Sequence, residues 1–254
     1  MLDVRLIATD LDGTFFKDDK TVSDYTRRVF LACREKGIKT VFATARSSSA
    51  VRLLPEGCFD AQITMNGAAA RLADGSRIYG ALLKREAAAP LLLACDARGI
   101  RVASQVDKKH YANFDVQKEW DWITDWSYAD FSRPEADAEK IYALVRGPED
   151  SDFIKNNLPQ EAYYVESRDN FAMVMHKDAT KSKALAALAL HWGIGHEKIA
   201  AFGDDLNDID MLRFAGYGVA VENALSETQA AASRRCGSNE ADGPARWIEE
   251  NILH

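Results

Sequence analysis

Cysteine is scarce and unpatterned: Cys33, Cys58, Cys95 and Cys236 form no C-x-x-C pair and no Cys/His group at zinc-ligand spacing. That excludes a disulfide-framed scaffold and a zinc finger, and leaves reduced, mostly buried thiols. Basic runs are no longer than Lys108-Lys109 and Arg234-Arg235, in a chain of formal net charge −7. Nucleic acid is therefore not expected as a partner, because it ordinarily requires a basic face. An anionic small molecule stays open, since one local cation can outweigh the global balance. No apolar run is long enough to span a bilayer and no charged-then-apolar leader stands before the first strand. No membrane partner and a cytoplasmic location are expected. Internal repeats and low-complexity segments are also missing. The remainder, 254 residues at 47% hydrophobic and 28% charged, is a globular composition with room for one large domain or two small ones.

What is there is organised around Leu6-Ile7-Ala8-Thr9-Asp10-Leu11-Asp12-Gly13-Thr14. Leu6, Ile7 and Ala8 read as a short buried strand. It ends at two carboxylates one residue apart, and Gly13 lets the backbone turn where a Cβ would obstruct. Ligands of open parallel sheets bind beyond the carboxyl ends of strands. Two carboxylates this close repel and need a shared proton or a hard cation such as Mg²⁺. Asp10 could then attack an electrophile and Asp12 pass a proton; an ordinary Asp/Gly turn is the competing reading. A calcium loop fits badly: counted from Asp10, its glycine and glutamate positions hold Phe15 and Thr21.

The rest of the chain alternates. Ser23 is a plausible N-cap for a helix reaching about Lys36, which Gly37 closes. Strands are expected at 38–43 and 61–65, with a helix at 47–54 between them. That alternation is the mark of a parallel α/β sheet. A hairpin around Asp74-Gly75 spans 71–80. Helix 86–98, strand 100–106, an aromatic and charged stretch 105–133, strand 140–145, helix 149–157 and strand 171–176 suit an α+β domain with an antiparallel sheet. The α/β rhythm resumes with helix 181–192, strand 199–202, helix 208–215 and strand 218–221. Gly216-x-Gly218 reads as a turn. A core of 1–79 and 179–254 thus closes around an inserted module, 80–178.

Three more stretches fall at element ends. Thr44 follows the second strand, where its hydroxyl and the next backbone N–H can donate to an anion. Lys181 opens a helix, where the dipole disfavours a cation unless an anion is bound; a solvated lysine is the competing reading. Gly203-Asp204-Asp205-Leu206-Asn207-Asp208 sets a second acid cluster at a strand end, or simply an Asp/Asn helix cap. Together, Asp10, Asp12 and Asp204 carry three negative charges. A divalent cation and Lys181 return three, so a phosphate dianion can approach.

These four stretches, in this order, resemble the motifs of the haloacid dehalogenase superfamily. The insertion, Met65-Asn66-Gly67-Ala68 and Lys181-x-x-Ala184-Leu185 resemble its Cof-type branch. The resemblance implies a Rossmann-like core, an inserted α/β cap and Mg²⁺-dependent (magnesium-requiring) phosphatase action on a small phosphorylated metabolite, sugar phosphates above all. A phosphomutase or a non-catalytic phosphometabolite sensor would share the fold. By position, Asp10 resembles the nucleophile that becomes an aspartyl phosphate, and Asp12 the general acid/base. The metal falls to Asp10, the backbone carbonyl of Asp12 and Asp204, with Asp208 behind them. Phosphate falls to Leu11, Thr44, Ala45, Lys181 and Asn207, and the substrate to Arg46, Asn66 and, in the cap, Trp122. The family usually reads Thr-Gly-Arg where this chain has Thr44-Ala45-Arg46. Alanine keeps the N–H donor but disfavours a positive φ. Part of the cap stretch with Lys108-Lys109, His110, Tyr111, Phe114, Trp120, Asp121, Trp122, Asp125, Trp126, Tyr128 and Phe131 is expected to face the core cleft.

Overall fold

The computed structural model describes residues 1–166 and 170–254, which divide into two units, 1–80 with 180–254 and 81–179. The first unit opens with β1 (Leu6–Thr9), a tight turn over Leu11–Phe15, α1 (Asp24–Glu35), β2 (Lys39–Ala43), β3 (Ala61–Thr64), β4 (Ala69–Leu72) and β5 (Arg77–Gly80). The second holds α2 (Arg85–Ala97), β6 (Arg101–Val106), β7 (Lys109–Ala112), β8 (Trp126–Tyr128), β9 (Lys140–Leu144), α3 (Pro148–Asn156), β10 (Ala162–Glu166) and β11 (Phe171–His176). The first unit then resumes with α4 (Lys181–His191), β12 (Ile199–Gly203), α5 (Ile209–Phe214), β13 (Tyr217–Ala220), α6 (Ser226–Ala231), β14 (Arg234–Arg235) and α7 (Gly243–Ile248).

The first unit is an α/β sheet in the order β14-β13-β12-β1-β2-β3-β4-β5, parallel as far as β3 and antiparallel beyond it. Both faces are covered. Ile7, Phe42, Phe202 and Val219 pack with Val29 and Phe30 of α1 and with Trp247 and Ile248 of α7. On the opposite face Leu6, Ala8, Val41, Ile63 and Ala201 pack with Ala184, Leu185 and Leu188 of α4 and with Met211 and Leu212 of α5. Burial on both faces explains why the strands read as continuous apolar runs rather than alternating ones. β1 pairs with β2 on one side and β12 on the other, so the strand order reverses there and a crevice opens at the carboxyl ends.

The second unit is a sheet in the order β10-β11-β9-β6-β7-β8, antiparallel except for β7 with β8. One face packs on α2 and α3 through Leu91, Cys95, Val102, Ile141, Ile154 and Val174. The other carries Tyr142, Ala103 and Ala112, with Trp120, Trp126 and Phe171 against them. The inserted sheet matches the α+β expectation. β7, β8 and β10 were not legible in the sequence: each is short and none shows clean alternation.

Two local expectations are corrected. Residues 47–54 do not form an α-helix; Ser48–Leu53 is a 3₁₀ segment. Ser47 and Ser49 bond each other through their hydroxyls at 2.8 Å, the local side-chain bonding that competes with helix, and Pro55 blocks extension. Gly218 lies inside β13 and is no turn residue. A Cβ there would sit 2.1 Å from the Leu212 carbonyl oxygen, so glycine lets α5 lie on the strand. Gly218→Ala should lower stability by about 1–3 kcal/mol, the usual cost of overpacking. Thermal unfolding at the wild-type midpoint would show that the helix simply shifts.

Candidate active site

Asp10 and Asp204 leave the carboxyl ends of the paired strands β1 and β12. Asp208 reaches the same point from one turn further on. Carboxylate oxygens of Asp10, Asp204 and Asp208 lie within 4.8 Å of one another. Two details make the approach possible. Gly13 has φ +79°, and a Cβ on it would lie 2.5 Å from an Asp204 oxygen. Thr14 donates its hydroxyl to Asp204 Oδ1 at 2.7 Å.

Lys181 is 1% exposed, so the solvated-lysine reading is corrected. Its ammonium donates to Asp10 Oδ1 and to Asp208 Oδ1, each at 2.6 Å. Burial opposes its charge, but the two carboxylates outweigh burial and raise its pKa. The unfavourable dipole at the start of α4 is offset the same way. Asp208 spends its second oxygen on the Asp204 and Asp205 N–H groups, at 3.0 and 3.1 Å. It thereby fixes the Asp204 loop and Lys181 together. Asp10 Oδ2 accepts no hydrogen bond among the described residues. Burial pushes Asp10 well above the usual carboxylate range, against the pull of Lys181. Burial likewise pushes Asp204 up to about 6. Such raised values mark acids that would accept a cation, and three hard carboxylates suit a divalent one.

Asp12 departs from the other acids. Its side chain is not in the cluster but turns to Arg46, which grips it with two bonds of 2.7 Å, and to Lys20 at 2.8 Å. Burial would raise its pKa; the two cations win and hold it below the ordinary carboxylate value. Lys20 was not legible in the sequence, where it closes the polar stretch Lys17-Asp18-Asp19-Lys20. Nothing in composition separates a lysine aimed at Asp12 from a solvated one.

Thr44 is 1% exposed and its hydroxyl accepts from Arg46 N–H at 3.1 Å, leaving its own proton to give. Ala45 is not among the residues with positive φ, so alanine causes no strain there, and its N–H meets no acceptor among the described residues. Leu11 is fully buried in the turn after Asp10. Asn207 donates its amide to Asn66 Oδ1 at 2.9 Å. Asp10, Asp204, Asp208 and Lys181 are thus brought together, and Asn66 meets Asn207. Trp122 belongs to the second unit, where it is 61% exposed. The aromatic stretch divides: Phe114 and Phe131 are buried, Trp120 and Trp126 half-buried, and Trp122 and Tyr128 exposed. His110 is buried against the Tyr142 hydroxyl at 2.8 Å, and burial drops its pKa to about 4. No helix among the described residues is long and apolar enough to cross a membrane.

A buried acid cluster with one lysine, at the switch point of a parallel sheet that carries an inserted α+β unit, defines a class. The chain belongs to the haloacid dehalogenase-like hydrolases, whose family profile matches residues 7–248. It is 29% identical over 263 residues to a 5-amino-6-(5-phospho-D-ribitylamino)uracil phosphatase of Bacillus subtilis, covering 99% of this chain and 97% of the relative. An Escherichia coli phosphatase of the same name is 25% identical, covering 100% of this chain and 98% of the relative. A solved haloacid dehalogenase-like hydrolase from Bacteroides thetaiotaomicron shares the fold at TM-score 0.84 and 23% identity, over 97% of this chain and 99% of that one. A subclass IIB sugar phosphatase does so at 0.80 and 24%, over 97% and 98%.

Proposed function

We propose that this chain hydrolyses small phosphomonoesters, of sugars or sugar alcohols, through an aspartyl phosphate on Asp10. The observation that carries the reading is the convergence of Asp10, Asp204 and Asp208 around Lys181. The phosphoribityl relatives support a sugar-alcohol phosphate as substrate class.

Lys181 holds Oδ1 of Asp10, so Oδ2 is the oxygen presented to phosphorus. Attack forms the Asp10–phosphorus bond as the ester oxygen leaves. Lys181, Thr44 and the Ala45 and Leu11 amides take up the charge on the phosphoryl oxygens. Asp12, kept ionised by Arg46 and Lys20, then takes a proton from the water that attacks the aspartyl phosphate, returning Asp10 and inorganic phosphate. The first step needs the same carboxyl protonated: it must leave Arg46 and Lys20 and take a proton from solvent before it can give that proton to the leaving alkoxide. Asp10 and Asp204, with Asp208 behind them and the Asp12 carbonyl beside them, would hold Mg²⁺. When bound, that ion neutralises the carboxylates facing the phosphate.

The test is phosphate release from a panel of sugar, polyol and p-nitrophenyl phosphates. Release with Mg²⁺, lost with EDTA and restored by Mg²⁺, supports the reading. Transfer to a second position without phosphate release would make the protein a mutase, and binding without turnover a sensor. Asp12→Asn should slow alkyl phosphates by ~10²–10⁴-fold, the usual range for acid–base help, and p-nitrophenyl phosphate less. Equal losses for both, with the first step rate-limiting, would remove Asp12 from the leaving-group role. Trp122→Ala should reorder the sugar and polyol substrates while leaving p-nitrophenyl phosphate nearly unchanged; one common factor across the panel would make Trp122 structural.

A further inference from the structure

The geometry points to Asn66 as the positioning residue that sets the Asn207 amide at the phosphate site, from a turn that also braces two other motif loops. The inference rests on the phosphatase reading above.

Three consecutive residues after β3, Met65, Asn66 and Gly67, have φ of +50°, +53° and +99°. Left-handed backbone is uncommon for one residue with a side chain and rarer for two in succession. Such strain persists only where the surroundings over-determine it. Here they do. Met65 N–H donates to Arg46 O at 2.9 Å and Asn66 N–H to Thr44 O at 3.0 Å, so the turn holds the carbonyls on either side of Ala45. The Met65 side chain is fully buried. On the other flank, a Cβ on Gly67 would lie 2.1 Å from Thr180 O and 2.8 Å from Lys181 N, so the turn is pressed against the first residues of α4.

The Asn66 side chain completes the arrangement. An asparagine in this conformation commonly turns its side chain to the local backbone. Asn66 instead accepts from Asn207, 141 residues along the chain. That bond orients the Asn207 amide with nitrogen toward Asn66, leaving the second N–H of the same nitrogen to give to phosphate. One strained turn therefore ties the Thr44 loop, the start of the Lys181 helix and Asn207. Backbone and side chain do separate jobs, which substitution can separate. Glycine at 66 keeps the left-handed backbone and removes the acceptor; alanine removes both.

The experiment is calorimetric titration with inorganic phosphate in Mg²⁺ on wild type, Asn66→Gly, Asn66→Ala, Asn207→Ala and the Asn66→Gly/Asn207→Ala double variant, with melting temperatures alongside. Asn66→Gly should melt like wild type yet bind phosphate about tenfold more weakly, the scale of one hydrogen bond to a charged group. Asn207→Ala should match it, and the double variant should be no worse than either single change, because one device is lost in each. Asn66→Ala should lose both affinity and melting temperature. Wild-type affinity in Asn66→Gly, or multiplicative losses in the double variant, would overturn the inference. Unchanged binding in Asn207→Ala, with turnover still dependent on Asp10, would overturn it and leave the phosphatase reading standing. A wild type that neither binds phosphate nor releases it would sink both.

Discussion

Asp10→Asn should yield a folded protein whose turnover is reduced on the order of 10⁴-fold or more, as when a covalent nucleophile is removed. The amide is nearly isosteric and can still accept from Lys181, but it offers phosphorus no anionic oxygen. The same change should leave stability equal or higher. Asp10 is an acid that burial drives well above its ordinary pKa, so the neutral amide removes a charge that the site tolerates at a cost. Stability and activity are thus expected to part company at this one position. Circular dichroism, a melting curve and a phosphate-release assay on the same sample test it. Wild-type turnover from a folded variant would exclude Asp10 as nucleophile, and a collapsed fold would make its role structural.

Lys181→Met should have the second-largest effect, and its sign is opposite for stability. The ammonium is fully buried between Asp10 and Asp208. Methionine fills the space but leaves two carboxylates without a cation. Breaking a buried pair from one side costs about 3–5 kcal/mol. The deficit should vary with pH in a definite direction. Asp204 is raised by burial from 3.8 to about 6, and Asp10 is raised as well. An acid whose folded pKa is raised contributes stability below its unfolded value and loses it as pH climbs through the folded one. Lys181 pulls both acids down, so without it and without metal their folded pKa values rise further, and the variant should approach wild type in acid and fall progressively behind as pH climbs. Added Mg²⁺ should narrow the gap by mass action. Phosphate binding and transfer should weaken together, since the charge serves both states. A gap that did not move with pH would show that Lys181 stabilises by packing its methylenes rather than by charge.

The two-sided core was legible because its strands are continuous apolar runs and its helices carry caps, as at Ser23, which accepts from Thr26 N–H. The second unit was legible as a class but not strand by strand. Lys109–Ala112, Trp126–Tyr128 and Ala162–Glu166 are runs of three to five residues, too short to show a period. The acid positions were visible as residue types at strand ends. Which of them meet was not: Asp12 and Asp208 exchange their apparent places, because the turn at Gly13 swings Asp12 toward Arg46 while Asp208 folds back on Lys181. Lys20 sits on left-handed backbone at φ +66°, and Asn66, at φ +53°, in the middle of a run of three such residues. Neither residue type announces that conformation by itself.

The pairing of β1 with β12, Leu6 against Ile199 and Thr9 against Phe202, also dictates a timetable. During synthesis the first strand emerges with one edge unmatched, and its partner is nearly 200 residues away. Residues 81–179 are contiguous and can close their own sheet while the first is still incomplete. The long-range pairing bears the larger chain-closure entropy and is the slow event. Lys181, Asp204 and Asp208 all arrive with that last segment. The acid cluster therefore assembles only when the sheet does, and a nascent or truncated chain ending before 199–203 still carries Lys181 but lacks β12 and the Asp204 and Asp208 that complete the cluster.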